Sequence, residues 1–351
     1  MICGSLRLST CPSGPIHMGS NNGGSMKNAA WLCAMGVAAG CGGGGGSTAG
    51  GAGNGSGTAS TCAGLTTTTA TPSPGFDGSV FTIVMENKSK SEILGNSSAP
   101  FINELANTGA VAAGYHDPYI HPSEPNYLWM VSGENYGVRD DADPAAHPID
   151  SSTHIADQLE LAGIDWKSYQ ESMGAPCGLT SHGRYAAKHN PFVYFDDING
   201  WDGKKFQPSQ RCIDHIVDYS QLDKDIAANA VPKYVFITPN LDNDMHDGSI
   251  AQGDAWLKTE LGKIMATDAY KNGGVIFLLW DEGDTSGGGA ADDPPFIAIS
   301  PMVKSGMVSQ VAYDTSSYLK TVQTILGVDK LPCAADPGTV STMFDLFATS
   351  L

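Results

Sequence analysis

The chain has 351 residues and a formal net charge of −18, from 19 basic and 37 acidic residues. Nucleic acids and anionic membrane surfaces are bound mainly by basic patches, so this charge argues against both as the main partner. A phosphate ester is not excluded, because a bound cation would dominate the charge of its site. The residues after about position 75 are numerous enough for one large domain with a sizeable core.

The N-terminal segment has the pattern of a leader. Met26-Lys27-Asn28 is followed by a short apolar stretch, Ala29–Ala39, and small residues precede Cys41. This pattern resembles a bacterial lipoprotein signal peptide, too short to span a membrane, and predicts Cys41 as the lipidated residue. Met26 is then expected to be the true start. A stray apolar patch in a disordered leader is the alternative.

Composition divides the chain into three parts. Residues 1–41 are assigned to the leader and signal peptide. Residues 42–75 are rich in Gly, Ser and Thr and poor in large apolar side chains, so they are predicted to form a flexible linker. Residues 76–351 are assigned to one folded domain.

Four cysteines follow the predicted lipidation site, namely Cys62, Cys177, Cys212 and Cys333. None has the close paired spacing of a zinc site, so disulfides are favoured, as in exported proteins. We favour a Cys177–Cys212 bridge, which brackets one insertion, and Cys62–Cys333 is a second, less supported pairing. Free buried thiols are the alternative.

The folded part alternates between strand and helix patterns. In chain order, the predicted strands are Val80–Met85, Ala110–Ala113, Trp166–Tyr169, Tyr234–Ile237, a strand after Gly273, and Phe296–Ile299. The predicted helices are Ala99–Asn107, Leu128–Ser132, Ser151–Ala162, 221–230, a helix that starts at Ser249, and Thr315–Leu326. Ser/Thr caps are expected for Ser151–Ala162, a capping box of Ser249 with Gln252 for the next-to-last helix, and an end at Gly327 for the last. Residues 174–218 show few periodic signals and are predicted to form a loop-rich insertion over the site. The alternation predicts an α/β fold with a mainly parallel central sheet and helices on both faces.

Polar side chains follow three of these strands. The apolar run before Asp281-Glu282 suits a strand buried on both faces. Glu86-Asn87 follows the first strand, and a segment from Asp242 to Asp247 follows a third. Ligands bind beyond the carboxyl ends of strands in such sheets. The three strand ends together predict a metal-assisted hydrolase.

Ser123 is the candidate nucleophile. It lies between two prolines in Pro122-Ser123-Glu124-Pro125, a context that presents its hydroxyl at a helix start, where a phosphate would be favoured. A serine hydroxyl is a poor nucleophile unless a base or a metal activates it. A purely structural helix cap would explain the same local pattern.

A family resemblance adds to this local reasoning. Seven motifs occur in order, and they are Glu86-Asn87-Lys88-Ser89, His121–Leu128, Ser132-Gly133, Lys188-His189-Asn190-Pro191, Thr238-Pro239-Asn240, Asp244-Met245-His246-Asp247 and Trp280-Asp281-Glu282-Gly283. Together they resemble the bacterial phosphoesterase family that includes acid phosphatases and phospholipases C, within the alkaline phosphatase superfamily. The fold that the resemblance implies is alkaline-phosphatase-like.

The resemblance implies roles for individual residues. Ser123 would be the nucleophile, with His246 and His116 as acid/base or phosphate-contacting residues. The residues implied to bind phosphate or substrate are Asn87, Asn126 and His189. The residues implied to hold the metal are Glu86, Asn87, Ser123, Asp281 and Glu282.

The ligand types predict one divalent ion. Carboxylate and amide oxygens favour Mg, Ca or Mn, with Zn as a further option. Two-metal members of the superfamily have a histidine in a motif where this chain has Tyr313-Asp314-Thr315, and Thr315 is interpreted as a helix cap. A second metal site is therefore only an alternative, and it would use Asp242, Asp244 and His246.

These inferences predict an acid-phosphatase-type phosphomonoesterase that acts on a small phosphate ester through a phosphoserine. A phospholipase C-type phosphodiesterase is the alternative within the class. It is disfavoured because the phospholipase-like stretch, Gly-Gly followed by Asp-His, is absent after Asp281-Glu282. A non-catalytic surface-binding lipoprotein is the alternative from another class. The expected location is extracytoplasmic, in the periplasm, at the cell surface or secreted, with the N-terminal lipid as the only membrane contact.

Overall fold

The computed structural model describes residues 73, 76–283, 293–331 and 340–348. The predicted leader, linker and lipidated Cys41 lie outside these residues, as do Cys62 and Cys333. The strands are β1 Val80–Met85, β2 Ala110–Ala112, β3 Tyr115–His116, β4 Trp166–Gln170, β5 Ile216–Asp218, β6 Tyr234–Thr238, β7 Val275–Trp280, β8 Phe296–Ile299, β9 Met307–Ser309 and β10 Tyr313–Asp314.

The helices cover both long packing elements and short turns. They are α1 Lys90–Ile93, α2 Pro100–Thr108, α3 Ser123–Ser132, α4 Ile155–Leu161, α5 Asp196–Asn199, α6 Gln210–His215, α7 Ser220–Ala227, α8 Ile250–Met265, α9 Asp268–Lys271 and α10 Thr315–Leu326. Short 3₁₀ helices lie at Ala187–His189, Pro191–Tyr194 and Phe344–Leu346. Among the described residues, no helix is both long and apolar enough to cross a membrane.

Eight strands form the central sheet, in the order β5-β4-β6-β1-β7-β8-β2-β9. Only β8 is antiparallel to its neighbours within the described sheet. Strands β6, β1 and β7 are adjacent and parallel, so their carboxyl ends meet at one edge. The predicted mainly parallel α/β sheet is confirmed.

The central strands are buried on both faces. In β1, Val80 and Val84 pack into one apolar cluster with side chains of α3 and α10. Phe81, Ile83 and Met85 pack into the other cluster, with side chains of α2 and α8. Such two-sided burial explains why the β1 and β7 sequences are continuous apolar runs rather than alternating ones.

Helix α3 is longer than predicted, because it begins at Ser123 rather than Leu128. The first backbone N–H groups of a helix have no intrahelical partner, so Pro125 at the third position breaks no hydrogen bond. Helix α10 matches its predicted bounds, and Gly327 ends it in the left-handed conformation with φ 73°.

Three predicted helix caps need correction. The cap of α10 is Asp314, which accepts the Ser317 N–H, whereas Thr315 is the first helical residue and its hydroxyl lies 3.1 Å from the Tyr115 hydroxyl. Helix α4 starts at Ile155, later than Ser151, and its cap is the His154 side chain. The capping box of α8 is half formed.

In that box, Ser249 accepts the Gln252 N–H, but the Gln252 side chain donates to Asn243 instead of returning to Ser249.

The predicted loop-rich insertion at 174–218 contains more structure than its sequence indicates. It holds α5, α6 and the edge strand β5, which pairs in parallel with β4. A three-residue strand is too short to give a periodic signal. The predicted Cys177–Cys212 disulfide is confirmed, and it joins this insertion's start to α6 with a Cα–Cα distance of 5.3 Å.

Candidate active site

Three buried carboxylates meet at the carboxyl edge of the central strands. Glu86 directly follows β1, Asp281 directly follows β7, and Asp244 lies in the loop after β6, and all three are fully buried. Backbone hydrogen bonds hold them there, from Glu86 N to Asp244 O at 2.8 Å and from Asp281 N to Met85 O at 3.1 Å. We call Glu86, Asp244 and Asp281 the strand-end cluster.

Ser123 brings a hydroxyl to this cluster from the start of α3. Its Oγ lies 3.1 Å from Glu86 Oε2 and 3.4 Å from Asn87 Oδ1. The residue is buried, so its position is fixed by packing. The ten-residue helix behind it has its N-terminus, with the partial positive charge of the helix dipole, at the same place.

Asn87 and Glu282 form the next layer of contacts. Asn87 adopts φ 40°, a left-handed conformation that asparagine tolerates, and its N–H donates to Asp281 Oδ1 at 3.2 Å. Its side-chain amide donates to Glu282 Oε1 at 3.3 Å. Glu282 is also bound by His121 Nδ1 and by the Asn126 amide. These contacts fix the orientation of Asn87 and Glu282 in the site.

His189 lies between two carboxylates of the strand-end cluster. Its Nε2 is 3.2 Å from Glu86 Oε1 and its Nδ1 is 3.4 Å from Asp244 Oδ2. The ring stacks on Tyr127 at 5.1 Å, and the Tyr127 hydroxyl donates to Glu86. Burial, with the nearby charges of Lys188 and His246, holds the pKa of His189 well below its ordinary value, so the imidazole is neutral at pH 7.

In the described part of the chain, positively charged side chains do not balance the negative charge of the strand-end cluster, and the pKa values of its carboxyl groups are raised. Burial, followed by repulsion from Asp281 and Asp244, raises the pKa of Glu86 well above its ordinary value. Burial likewise raises the pKa of Asp244 and of Asp281 to about 7 each. The pKa of Glu282 is raised to about 9, by burial and then by the charge of Asp281.

These residues fit a divalent cation. One oxygen of Asp281, Oδ2, and one of Asp244, Oδ2, are buried without a hydrogen-bond partner. Buried carboxylates are normally paired with a cation or coordinate a metal. The oxygen-rich donor set agrees with the ligand preference of a hard dication.

Lys188 and His246 lie at the rim of the cluster. Lys188 Nζ donates to Asp141 Oδ2 at 2.9 Å and is 3.5 Å from His246 Nε2. His246 is partly exposed, its Nδ1 lies 2.7 Å from Asp247 Oδ1, and its ring centroid is 5.9 Å from that of His189. These contacts place a lysine and a partly exposed histidine beside the buried carboxylates.

Most of the predicted site residues lie together. The structure brings the following to one place: Glu86, Asn87, Ser123, Asn126, His189, Asp244, Asp281 and Glu282, with His246 at the rim. Their chemical roles remain predictions.

Two predicted residues lie apart from this group. His116 bonds the Asp117 carbonyl through Nδ1 and stacks on Tyr119, and no described contact joins it to Ser123 or Glu86. Asp242 is paired with Arg184, which also binds Asp247. An aspartate already neutralised by arginine is a poor metal ligand, so the structure does not support the alternative second site of Asp242, Asp244 and His246.

Several contributors were assigned no role from the sequence, although Tyr127, His121 and Lys188 lie within the motifs quoted above. Tyr127 lies four residues after Ser123 and therefore on the same face of α3, a spacing that could have revealed it. His121, Asp141 and Lys188 contact site residues through the fold alone, since they come from three separate segments. The sequence offers no spacing signal for such contacts.

Comparison with known proteins identifies the family. The model of the phosphoesterase family matches residues 86–329. A phosphatidylinositol-3-phosphatase of Mycobacterium tuberculosis is 34% identical over 253 residues, which are 72% of this chain and 77% of that protein. The chain belongs to the phosphoesterase family. It is a hydrolase that acts on phosphoric ester bonds, as its sequence motifs predicted.

Two other relatives of this phosphoesterase are longer. A probable acid phosphatase of Kluyveromyces lactis is 31% identical over 215 residues, covering 59% of this chain and 48% of that protein. A hemolytic phospholipase C of Pseudomonas aeruginosa is 23% identical over 285 residues, covering 65% and 39% respectively. The phosphoesterase therefore spans less than half the length of these two relatives.

The fold has a solved counterpart. A protein in the alkaline phosphatase superfamily from Vibrio parahaemolyticus superposes on the phosphoesterase with a TM-score of 0.54 at 12% identity, covering 80% of this chain and 73% of that one. This likeness confirms the alkaline-phosphatase-like fold that the motifs implied.

Proposed function

We propose that this phosphoesterase is a metal-dependent phosphomonoesterase that acts through a phosphoserine at Ser123. The observation that carries the proposal is the buried Ser123 hydroxyl, 3.1 Å from Glu86 and at the start of a ten-residue helix. The Mycobacterium tuberculosis relative is named a phosphatidylinositol-3-phosphatase, and a phosphatase cleaves a monoester, which supports monoester hydrolysis here. The proposed substrate class is a small phosphate monoester.

The chain's own residues divide the work in this proposal. Ser123 Oγ attacks phosphorus in line with the leaving oxygen, and the N-terminus of α3 stabilises the charge on the phosphoryl oxygens. The Asn87 and Asn126 amides orient the site. Water then cleaves the phosphoserine, which returns Ser123 to its free form.

Proton transfer is assigned to histidines with different surroundings. His246 is partly exposed and paired with Asp247, so it can exchange protons with solvent and protonate the leaving oxygen. His189 is buried and neutral, and it fixes the positions of Glu86 and Asp244.

The proposed metal ligands are Glu86, Asn87, Ser123, Asp281 and Glu282, and the unpartnered oxygen of Asp244 extends this set. A bound dication would supply positive charge that favours the ionised serine hydroxyl and neutralises phosphoryl oxygens. Mg, Ca or Mn suits these oxygen donors better than Zn.

The first experiment compares a monoester with a diester. The wild type is expected to hydrolyse p-nitrophenyl phosphate faster than p-nitrophenyl phosphorylcholine, with activity lost in chelator and restored by added metal. Ser123→Ala should reduce monoester hydrolysis by about 1,000-fold or more, as expected for loss of a nucleophile. Ser249→Ala, which alters a serine at another helix start, is the matched control and should retain activity.

The outcomes separate the alternatives. Faster cleavage of the choline diester would replace the monoesterase proposal by the phospholipase C type. Full activity of Ser123→Ala would exclude Ser123 as nucleophile. Absence of hydrolysis with all added metals would favour the non-catalytic binding lipoprotein.

We also propose that the enzyme is extracytoplasmic and tethered through a lipid on Cys41. The support is the signal-peptide pattern together with the Cys177–Cys212 disulfide, since disulfides persist in oxidising compartments. Metabolic labelling with radioactive palmitate should mark the wild-type chain and not Cys41→Ser. Equal labelling of both would exclude lipidation at Cys41.

A further inference from the structure

A second group of ligand-type side chains lies directly behind the nucleophile. Glu124 follows Ser123 in α3 and is fully buried. The Tyr194 hydroxyl lies near its carboxylate but donates to the Ala142 carbonyl at 2.9 Å, and neither carboxylate oxygen accepts a well-formed hydrogen bond in the described part of the chain. A buried carboxylate with both oxygens unpartnered is costly, so it points to a ligand that completes it.

Asp140 and His147 complete a ligand geometry with Glu124. One ligand atom from each of the three residues lies within 4.8 Å of the other two. His147 Nε2 is 2.6 Å from Asp140 Oδ1. The Asp140 side chain is 63% exposed, so the group opens to solvent on that side and leaves space for water ligands.

No described lysine or arginine neutralises the carboxylates of Glu124 and Asp140. None of the described lysine or arginine side chains forms an ion pair with Glu124 or Asp140. Burial, with repulsion from the acidic segment at 140–143, raises the pKa of Glu124 to about 9. Lys188, the nearby lysine, is paired with Asp141 instead.

We propose that Glu124, Asp140 and His147 bind a Zn²⁺ ion, at a site distinct from the strand-end cluster. Two carboxylates with one imidazole suit Zn²⁺ better than Ca²⁺, Mg²⁺ or Mn²⁺, which prefer oxygen ligands.

This ion would fasten the 140–147 segment to the start of α3. The two are already linked, because Asp141 Oδ1 accepts the Glu124 N–H at 3.1 Å. Asp141 Oδ2 in turn holds Lys188, at the rim of the active site. Occupancy of the second site would therefore help to position Lys188 beside His246.

The test counts bound zinc. Chelator-stripped protein is dialysed against limiting free Zn²⁺, and metal per chain is measured by mass spectrometry. The double variant Asp140→Asn/His147→Gln should bind one ion fewer than the wild type. Asp143→Asn removes an equal charge from the same segment, and His182→Gln removes an exposed histidine, so both controls should bind the wild-type number.

Because the readout is a difference of one ion, it holds whether or not the strand-end cluster also binds zinc. An equal ion count in the double variant and the wild type would overturn the proposal. Loss of an ion in His182→Gln would also overturn it, since it would show adventitious binding at surface histidines. Circular dichroism in chelator checks that all variants are folded.

Discussion

Two acidic clusters of this phosphoesterase differ in how their charge is balanced. In the first, the strand-end cluster, buried Asp281 and Asp244 each keep an oxygen without a hydrogen bond. In the second, Arg211 binds Asp157, Glu160 and Asp197 at 2.5–2.9 Å, with His154 beside them. We call this second group the Arg211 cluster. Its His154, Asp157 and Asp197 have the ligand spacing of a metal site, yet an arginine already pairs with both aspartates.

The pKa directions follow that difference only in part, since burial raises the pKa of Asp157 above its ordinary value although Arg211 binds it. Burial would raise the pKa of Asp197, but the hydrogen bond from His154 and the charge of Arg211 bring it below its ordinary value. Burial raises the pKa of Asp281 to about 7, with no comparable cation in contact. Arg211 neutralises carboxylates within the folded chain. The strand-end cluster would need an added cation for the same neutralisation. Ligand-like spacing alone therefore does not identify a metal site.

Replacing Asp281 tests the strand-end cluster most directly. Asp281→Asn should lower kcat by about 1,000-fold, because metal charge stabilisation is worth several kcal/mol and each ~1.4 kcal/mol is a factor of ten. The same variant should raise the melting temperature in chelator, since it removes one of three repelling carboxylates. A variant that is both inactive and less stable in chelator would contradict the charge argument. Steady-state kinetics and calorimetry supply the two readouts.

Removing Arg211 should lower stability without lowering activity, the opposite of the effect expected for Asp281→Asn. Arg211→Ala removes the cation shared by three carboxylates and should cost about 3 kcal/mol of unfolding free energy, the range for breaking a partly buried ion pair. The kcat per folded molecule should stay unchanged. Urea unfolding measures the first effect. Added divalent metal should then stabilise Arg211→Ala more than the wild type, and equal stabilisation would show that arginine does not replace a metal there.

The strand-end cluster should also make stability depend on pH. A carboxyl group with a raised pKa binds more protons in the folded chain, so its favourable contribution is present at low pH and is lost as the pH rises. With the pKa of Asp281 raised to about 7, the loss occurs between about pH 4 and pH 7. In chelator, wild-type stability should fall about 1 kcal/mol per pH unit more steeply than that of Asp281→Asn. Parallel curves would contradict the raised pKa.

The smallest effect is expected at Asp242. Its ion pair with Arg184 is substantially exposed, so Asp242→Asn should change unfolding free energy by less than about 1 kcal/mol. Activity and the number of bound ions should match those of the wild type. Loss of an ion in Asp242→Asn would restore the two-metal alternative that the structure does not support.

The sequence predicted the central strands and their polar ends because these signals are local. Val80–Met85 and Val275–Trp280 are continuous apolar runs, and Glu86 and Asp281 follow them directly. Parallel strand geometry then placed these side chains at one edge. The position of Ser123 at a helix start was also local.

The remaining features depend on contacts between distant segments. Asp242 was named only for the alternative second metal site, and its pairing with Arg184, 58 residues away in the sequence, leaves no spacing signal. Edge strand β5 was missed because three residues carry no periodicity. The position of His116 depends on strand pairing, because β3 pairs with β10 about 200 residues later in the chain, with His116 opposite Asp314.

The Cys177–Cys212 bridge has a consequence for the segment that it closes. The chain that it closes contains Arg184, Lys188 and His189, three side chains at or near the site. Before oxidation, this 35-residue separation is constrained only by packing, and the free chain has more conformations to lose. Closing this loop would therefore restrict the segment that carries these three side chains as well as stabilise the fold.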